Sequence, residues 1–258
     1  MNILVFVKQV PDDYVKVRLG EDGKPAVEGI DKIVNAFDTY AVEMAVRHRE
    51  QEGGRVVVAT VGEEEKVRPA VVQMVAVGAD QAYIFAPAAK EYDESALSGS
   101  LAEAVRECEK AEGICFDLVL CGKESTDEIS SQVAAMLAEK LGAGFVSSAV
   151  GFEAADGELT VQQETETGYS WYGTACPAVL SVAKPEYDPR YPTLKGKMAA
   201  RKANIPYFKD VLTPVSPAVA CRSYAEPPKR KEGIRIVEKE AADAVNKALE
   251  IMTGDKVL

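Results

Sequence analysis

Short apolar, β-branched runs recur at residues 3–7, 56–61, 82–85, 118–121 and 145–150. Each is apolar almost throughout rather than at every second position, the pattern of strands buried on both faces. Segments of helical length fill most of the gaps, at 38–51, 63–77, 94–111 and 128–141, each with apolar positions gathered on one side. Strand and helix in alternation predict right-handed βαβ units and a mainly parallel sheet, hence an α/β fold.

Two stretches break the alternation. Residues 15–19 and 24–27 flank Gly20-Glu21-Asp22-Gly23 and predict a small hairpin after the first strand. After the fourth helix, residues 157–161, 170–172 and 178–182 form a β-rich stretch whose Asp156-Gly157 turn fits antiparallel edge strands. From Asn204 onward, prolines at 206, 214, 217, 227 and 228 interrupt a segment with no clear period. Such a stretch suggests an arm lying on something else. Residues 239–252 then recover a helical pattern, with Ala241, Ala244, Val245, Ala248, Leu249 and Met252 on one side. The expected organisation is a nucleotide-binding α/β domain over 1–203 and an arm with a terminal helix over 204–258, reaching a partner subunit.

Composition narrows the function. Apolar residues make up 47% of the 258 and charged residues 28%, so a sizeable core is available. Thirty Lys and Arg against 41 Asp and Glu leave a net charge of -11, which disfavours nucleic acid as a partner. The basic cluster Pro227-Pro228-Lys229-Arg230-Lys231 is too short to reverse this. No run of about 18 apolar residues suggests an integral membrane protein, and the opening Met1-Asn2-Ile3-Leu4-Val5 reads as a strand rather than a leader, so a cytoplasmic location is expected. Five scattered cysteines without a CxxC pair argue against a disulfide framework or zinc knuckle. The only histidine, His48, sits among Arg47, Arg49 and Glu50 and is expected on a solvated helix face, which weakens any mechanism needing a histidine base.

Ligands of an open parallel sheet collect beyond the carboxyl ends of its strands. The residues in question are Phe6 and Lys8, Val61 and Gly62, and the loop from Cys121 to Asp127. Neither GxGxxG nor GxxxxGK[ST] occurs. The segment from Gly122 to Gln132 runs from a strand end through a polar loop into a helix, whose amides could receive a phosphate. Asp127 or Ser125 could equally be a helix cap worth about 1 kcal/mol, and Asp127 and Glu128 would repel a neighbouring phosphate. Asn35-Ala36-Phe37-Asp38 offers the same ambiguity, with Asn35 or Asp38 as caps and Phe37 as core. Trp171 and Tyr172 are expected to pack on the sheet.

Three segments together resemble the β subunit of electron transfer flavoproteins. They are the opening residues 3–12, which end in Val7-Lys8-Gln9-Val10-Pro11-Asp12, the segment over 34–43 that contains Asn35-Ala36-Phe37-Asp38, and the run from Pro177 through Pro189-Arg190-Tyr191-Pro192-Thr193-Leu194 to Lys202. The resemblance implies a Rossmann-like, adenine-nucleotide α-hydrolase-like sheet with an antiparallel supplement and an arm that wraps an α subunit. It implies no acid-base or nucleophilic catalysis of the chain's own, with redox-active FAD held mainly by the α subunit. The β site would hold AMP or, in bifurcating members that also use NAD, a second FAD. Mapped onto this chain, that site comprises Phe6, Asn35, Phe37, Asp38, Val61, Gly122, Ser125, Thr126, Asp127, Ser130, Ser131 and Gln132, with Tyr14 near the α-bound flavin. Ile129 stands where many members have a carboxylate, Gln163 replaces a basic residue, and Thr167 replaces a glycine. The serine-rich loop does not decide between AMP and FAD.

By the same resemblance, electrons come from a flavin dehydrogenase and pass to a quinone oxidoreductase or other acceptor. The docking loop would carry Lys184, Glu186, Tyr187 and Arg190, a more polar contact than the leucine common in the family. The rival from another class is a stand-alone adenine-nucleotide stress sensor, which needs neither the arm nor the segment from Pro177 to Leu194.

Overall fold

The computed structural model describes residues 1–228 and 232–257. Lys229, Arg230 and Lys231 of the basic cluster lie outside them.

The chain opens with β1 (Asn2–Phe6), β2 (Gln9–Pro11), β3 (Lys32–Val34), α1 (Ala36–Glu52), β4 (Arg55–Val61), α2 (Glu64–Val77) and β5 (Gln81–Phe85). It continues through α3 (Glu94–Glu112), β6 (Leu118–Gly122), α4 (Val133–Leu141), β7 (Gly144–Ala155), β8 (Glu158–Thr165), β9 (Gly168–Ala175) and β10 (Ala178–Val182). The final elements are α5 (Leu194–Ala200), β11 (Tyr207–Phe208) and α6 (Ala241–Gly254). Nine strands form one sheet in the order β11-β5-β4-β1-β6-β10-β7-β8-β9. Every pairing from β11 to β7 is parallel, and those of β7 with β8 and β8 with β9 are antiparallel.

The continuous apolar runs have a simple origin: both faces of the parallel sheet are covered. Successive strand residues point to opposite faces. Ile3 and Val5 of β1, Val56 and Val58 of β4, and Leu118 and Leu120 of β6 join the α1 and α2 side in one core. Leu4 and Phe6, Val57 and Ala59, and Val119 and Cys121 join α3 and α4 in the other. Helix ends follow local chemistry. Asp93 caps α3 by accepting from the Ala96 amide at 2.7 Å, and Gly113 closes it in the left-handed conformation.

Several expectations need correction. The hairpin over 15–27 reduces to a single bridge between Leu19 and Pro25, while the ladder forms further out between β2 and β3. Val15 and Val17 are exposed, so these residues bury nothing that would hold a strand. The fourth helix begins at Val133 rather than 128. Ile129 and Ser131 take positive φ, and Ile129, within the expected helix, is exposed. Residues 178–182 form no edge strand: β10 inserts in parallel between β6 and β7. Trp171 and Tyr172 lie exposed on the terminal strand β9 rather than packed on the sheet. His48 is half-buried, its ring 4.9 Å from that of Phe152, and burial lowers its pKa.

The segment after Asn204 stays on the domain for longer than its composition suggests. β11 extends the sheet beside β5, Phe208 stacks on Phe85 at 5.1 Å, and Ile205 and Leu212 are buried. Beyond Leu212 the chain crosses the start of α3, where Asp93 accepts from the amides of Ala218 (2.6 Å) and Val219 (3.0 Å). The last helix, α6, has no buried residue, and Val245, Leu249 and Met252 are exposed. Among the described residues, no helix is long and apolar enough to cross a membrane.

Leu180 of β10 is fully buried in the sheet centre. Leu180→Ala should lower the unfolding free energy by about 2–5 kcal/mol in urea titrations followed by far-UV circular dichroism. Val15→Ala, in the exposed loop, should change it by no more than about 0.5 kcal/mol.

Candidate functional site

The chain runs from β1 to β4 and β5 on one side, then crosses to β6 on the other side of β1. Loops leaving the carboxyl ends of β1 and β6 therefore diverge, and ligands gather at such a switch point. A cavity of about 550 Å3 lies there, within the size range of small-molecule clefts. Its walls come from the ends of β1, β4 and β6, the loop before α3, the start of α4 and residues 217–224 of the arm.

The start of α1 closes the base of this crevice. Asp38 is buried, and its two carboxylate oxygens accept from the amides of Lys8 (2.7 Å) and Gly122 (3.0 Å), which follow or end the two diverging strands. Asn35, also buried, donates to the carbonyl of Glu124 (2.9 Å) and accepts from the amide of Thr126 (3.2 Å). Neither side chain caps its own helix, as the sequence allowed; both bind neighbouring loops instead. Gly122 is required by this approach, since a Cβ there would stand 2.3 Å from Oδ1 of Asp38 and 2.8 Å from Cβ of Phe37. Burial pushes the Asp38 carboxyl up to about 7, against the opposing pull of the Lys8 and Gly122 amides.

The acidic residues of the following loop are turned onto Lys8. Its Nζ lies 2.8 Å from Asp127 and 3.0 Å from Glu128 and donates to Ser125 at 3.2 Å. Asp127 is thus an ion-pair partner rather than a helix cap, and one cation offsets part of the repulsion that the pair would exert on a phosphate. Ile129 and Ser131 hold left-handed backbone at φ 53° and 55°, a conformation costing on the order of 1–3 kcal/mol each for non-glycine residues. That bend carries the chain into α4, whose N-terminus has neither a side-chain cap nor an acid in its first turn. Its first residues, Val133 and Ala134, line the cavity beside Ser130, Ser131 and Gln132. Free amides at a helix start attract anions. The Thr126 hydroxyl is buried without a hydrogen-bond partner behind the cavity wall. These residues fit a nucleotide phosphate.

Of the residues mapped to the β site, Phe6, Asn35, Asp38, Val61, Gly122, Ser125, Ser130, Ser131 and Gln132 line this cavity. Phe37, Thr126 and Asp127 stand behind its wall, through the contacts just described. Tyr14 is 95% exposed and is not among the lining residues. Sequence reasoning missed Lys90, Tyr92 and Asp93 in the loop after β5, and Val219, Cys221 and Tyr224 in the arm. The first group follows a strand end and was open to the same argument as Lys8. The arm carries no periodic signal.

The residues assigned to docking divide into two kinds. Lys184 and Glu186 are exposed. Tyr187 instead lies beneath the Arg47 guanidinium, 4.1 Å from its ring centre, and burial pushes its hydroxyl up to about 12. Arg190 is turned back onto α1, where Glu43 and Glu50 hold it. The large exposed apolar side chains lie just beyond: Tyr191 (92% exposed), Leu194 (76%) and Met198. The expectation of a polar tip overlooked them.

Comparison with known proteins agrees with this architecture. The family model "Electron transfer flavoprotein domain" matches residues 26–212. The chain is 33% identical over 240 residues to the electron transfer flavoprotein subunit beta of Syntrophomonas wolfei subsp. wolfei, covering 92% of this chain and 90% of the relative. It is 28% identical over 272 residues to the subunit of that name from Megasphaera elsdenii, covering 100% of both. Identity to the Bacillus subtilis subunit is 30% over 204 residues, covering 78% of this chain and 76% of the relative.

The Asp38 environment has a pH signature. With its pKa raised from 3.8 to about 7, the folded chain holds a proton that the unfolded chain has released across that interval. Stability from this group is therefore greatest at acid pH and falls as pH rises from about 4 to 7. Asp38→Asn, which cannot ionise, should flatten this part of the stability profile when urea midpoints are measured at closely spaced pH values. An unchanged slope would refute the assignment.

Proposed function

The chain belongs to the electron transfer flavoprotein subunit beta family, and on that premise we propose that it is the β subunit of a cytoplasmic heterodimeric electron carrier. In this reading an α subunit holds the working FAD, a dehydrogenase supplies electrons, and a second redox protein receives them. The flavin supplies the redox chemistry, while this chain supplies position, a closed environment and recognition.

The observation that carries the binding half of this proposal is the crevice itself: uncapped helix amides at α4 beside Ser130, Ser131 and Gln132, and Lys8 drawing two carboxylates aside. The phosphate of an adenine nucleotide, AMP or the adenylate part of a second FAD, would lie against Ser130, Ser131, Gln132 and the first turn of α4. Phe6 and Val61 offer apolar wall. Asn35 and Asp38 act on the ligand indirectly, by holding both strand ends in place. The subunit half is supported by α6, whose Val245, Leu249 and Met252 form an uncovered apolar side. A stand-alone nucleotide sensor would have no use for such a face.

Ser130→Leu with Gln132→Leu should release nucleotide from the β site while α-bound FAD stays. Denaturing the purified heterodimer and separating the released nucleotides by chromatography measures both. Retention of β nucleotide at full occupancy would remove the placement, and two flavins per heterodimer would favour the bifurcating form over AMP.

Deleting residues 236–258 should weaken association with the α subunit by at least tenfold, about 1.4 kcal/mol, in titrations of one purified subunit with the other. The melting temperature of the β domain should hardly move, because α6 buries none of its residues there. Unchanged affinity would refute the arm's role.

A further inference from the structure

After Leu212 the chain leaves the core, and little holds it. Among the described residues, three main-chain amides make all the hydrogen bonds from 213–224 to the domain. Thr213 donates to Glu103 of α3 at 2.7 Å, whereas Ala218 and Val219 both donate to Oδ2 of Asp93, at 2.6 and 3.0 Å. Asp93 and Glu103 are about 15 Å apart along the helix axis, at 1.5 Å per residue. The chain from Thr213 to Ala218 reaches at most about 18 Å when fully extended, so it runs nearly straight along α3, back toward the helix start. Prolines 214 and 217 suit this course, since neither has an amide that would want an acceptor.

Asp93 uses its two oxygens for different ends. Oδ1 accepts from the Ala96 amide at 2.7 Å and starts α3, while Oδ2 takes the arm. The loop that carries it is itself fixed, because the Tyr92 hydroxyl accepts from the Ala88 amide at 2.6 Å. The Ala96 amide foremost, and after it those of Val219 and Ala218, hold the Asp93 carboxyl below the usual carboxylate range. It is therefore ionised at neutral pH, and its bonds to the arm are charge-assisted.

Past Asp93 the arm turns over the crevice. Val219, Cys221 and Tyr224 line the cavity together with Glu91, before α3, and Glu128, before α4. Cys221 beside it, and then the charges of Glu91 and Glu128, push the Tyr224 hydroxyl up, so this side chain stands near both walls. Val219 is 71% and Tyr224 48% exposed: this part of the arm rests on no core, and the space it faces is the cavity. One side of the nucleotide site is thus made of chain that Asp93 fastens.

We propose that residues 213–224 are a strap that retains the nucleotide of the crevice, with the Asp93 carboxylate as its latch. The strap's function rests on the nucleotide-binding reading above; its fastening does not. Opening is local, because Leu212 is the last buried residue among those described and lies before the strap, so freeing the Ala218 and Val219 amides uncovers no core. A latch sets how fast a ligand enters and leaves, and it changes affinity less, since the same opening serves both directions. Asp93 acts here as a positioning residue, through the arm.

The test uses the intact heterodimer. Purified protein is held over activated charcoal, which takes up any nucleotide that leaves, and the AMP and FAD still bound are quantified by chromatography over time. Asp93→Ser keeps a good cap for α3 but removes the oxygen that holds the arm. Ala218→Pro removes one of the two donors and leaves every charge in place. Each should lose the β nucleotide on the order of tenfold faster than wild type, the effect of losing a charge-assisted hydrogen bond. Given AMP or FAD back, whichever was lost, each should also refill faster, while α-bound FAD departs at the wild-type rate. Amide hydrogen exchange over residues 219–224 should rise by a similar factor, with the α/β domain unchanged. Ala218→Pro decides the matter if Asp93→Ser does not fold. Unchanged exchange in a folded variant would overturn the latch. Raised exchange with wild-type rates of nucleotide loss would overturn the strap. Faster loss without faster refilling would make Asp93 a ligand contact and remove the latch as well. A wild-type complex that neither carries nor takes up an adenine nucleotide beside the α-bound FAD would sink the nucleotide-binding reading, and the strap's function with it, while hydrogen exchange still judged the fastening.

Discussion

The structure turns on one carboxylate. β1 and β6 pair side by side from Ile3 with Leu118 to Val5 with Leu120, and beyond that point their chains must part to leave a crevice. Parting strands lose the partners of their backbone groups, and a buried amide without an acceptor is costly. Asp38 supplies the missing acceptor for one amide on each side, from a helix that belongs to neither strand. The opening in the sheet is thus stabilised by the side chain at its base. The close fit at Gly122 and the raised pKa of Asp38 are both results of that arrangement.

Helix α1 serves two sites at once. Asn35 and Asp38 shape the crevice, while Glu43, Arg47 and Glu50 hold the loop after β10. At 1.5 Å per residue, Asp38 and Glu50 are about 18 Å apart along one rigid rod. Packing of Ala41, Val42, Ala45 and Val46 into the core keeps that rod in register with the sheet. The crevice and the loop after β10 therefore share a support without sharing atoms.

Much of this was legible in the sequence because burial leaves a strong trace. Strands covered on both faces read as apolar runs, and four of the five expected runs fall within strands of the sheet, the first extending one residue past the end of β1. The Asn35-Ala36-Phe37-Asp38 and Gly122 to Gln132 segments were visible as strand-end chemistry, and the family resemblance sharpened both. What escaped had no local cause. The α4 boundary moved because Ile129 and Ser131 adopt left-handed backbone that no glycine announces. Arg190 looked free because its partners, Glu43 and Glu50, lie about 140 residues earlier in the chain. The arm entered the cavity wall through main-chain contacts with Asp93, which composition does not encode.

β9 is the outermost strand of the nine, eight residues long, and carries Tyr169, Trp171 and Tyr172 exposed. It contains no proline or lysine to blunt its open edge. Eight residues of open backbone thus give the folded chain a template on which another strand, its own copy included, can pair.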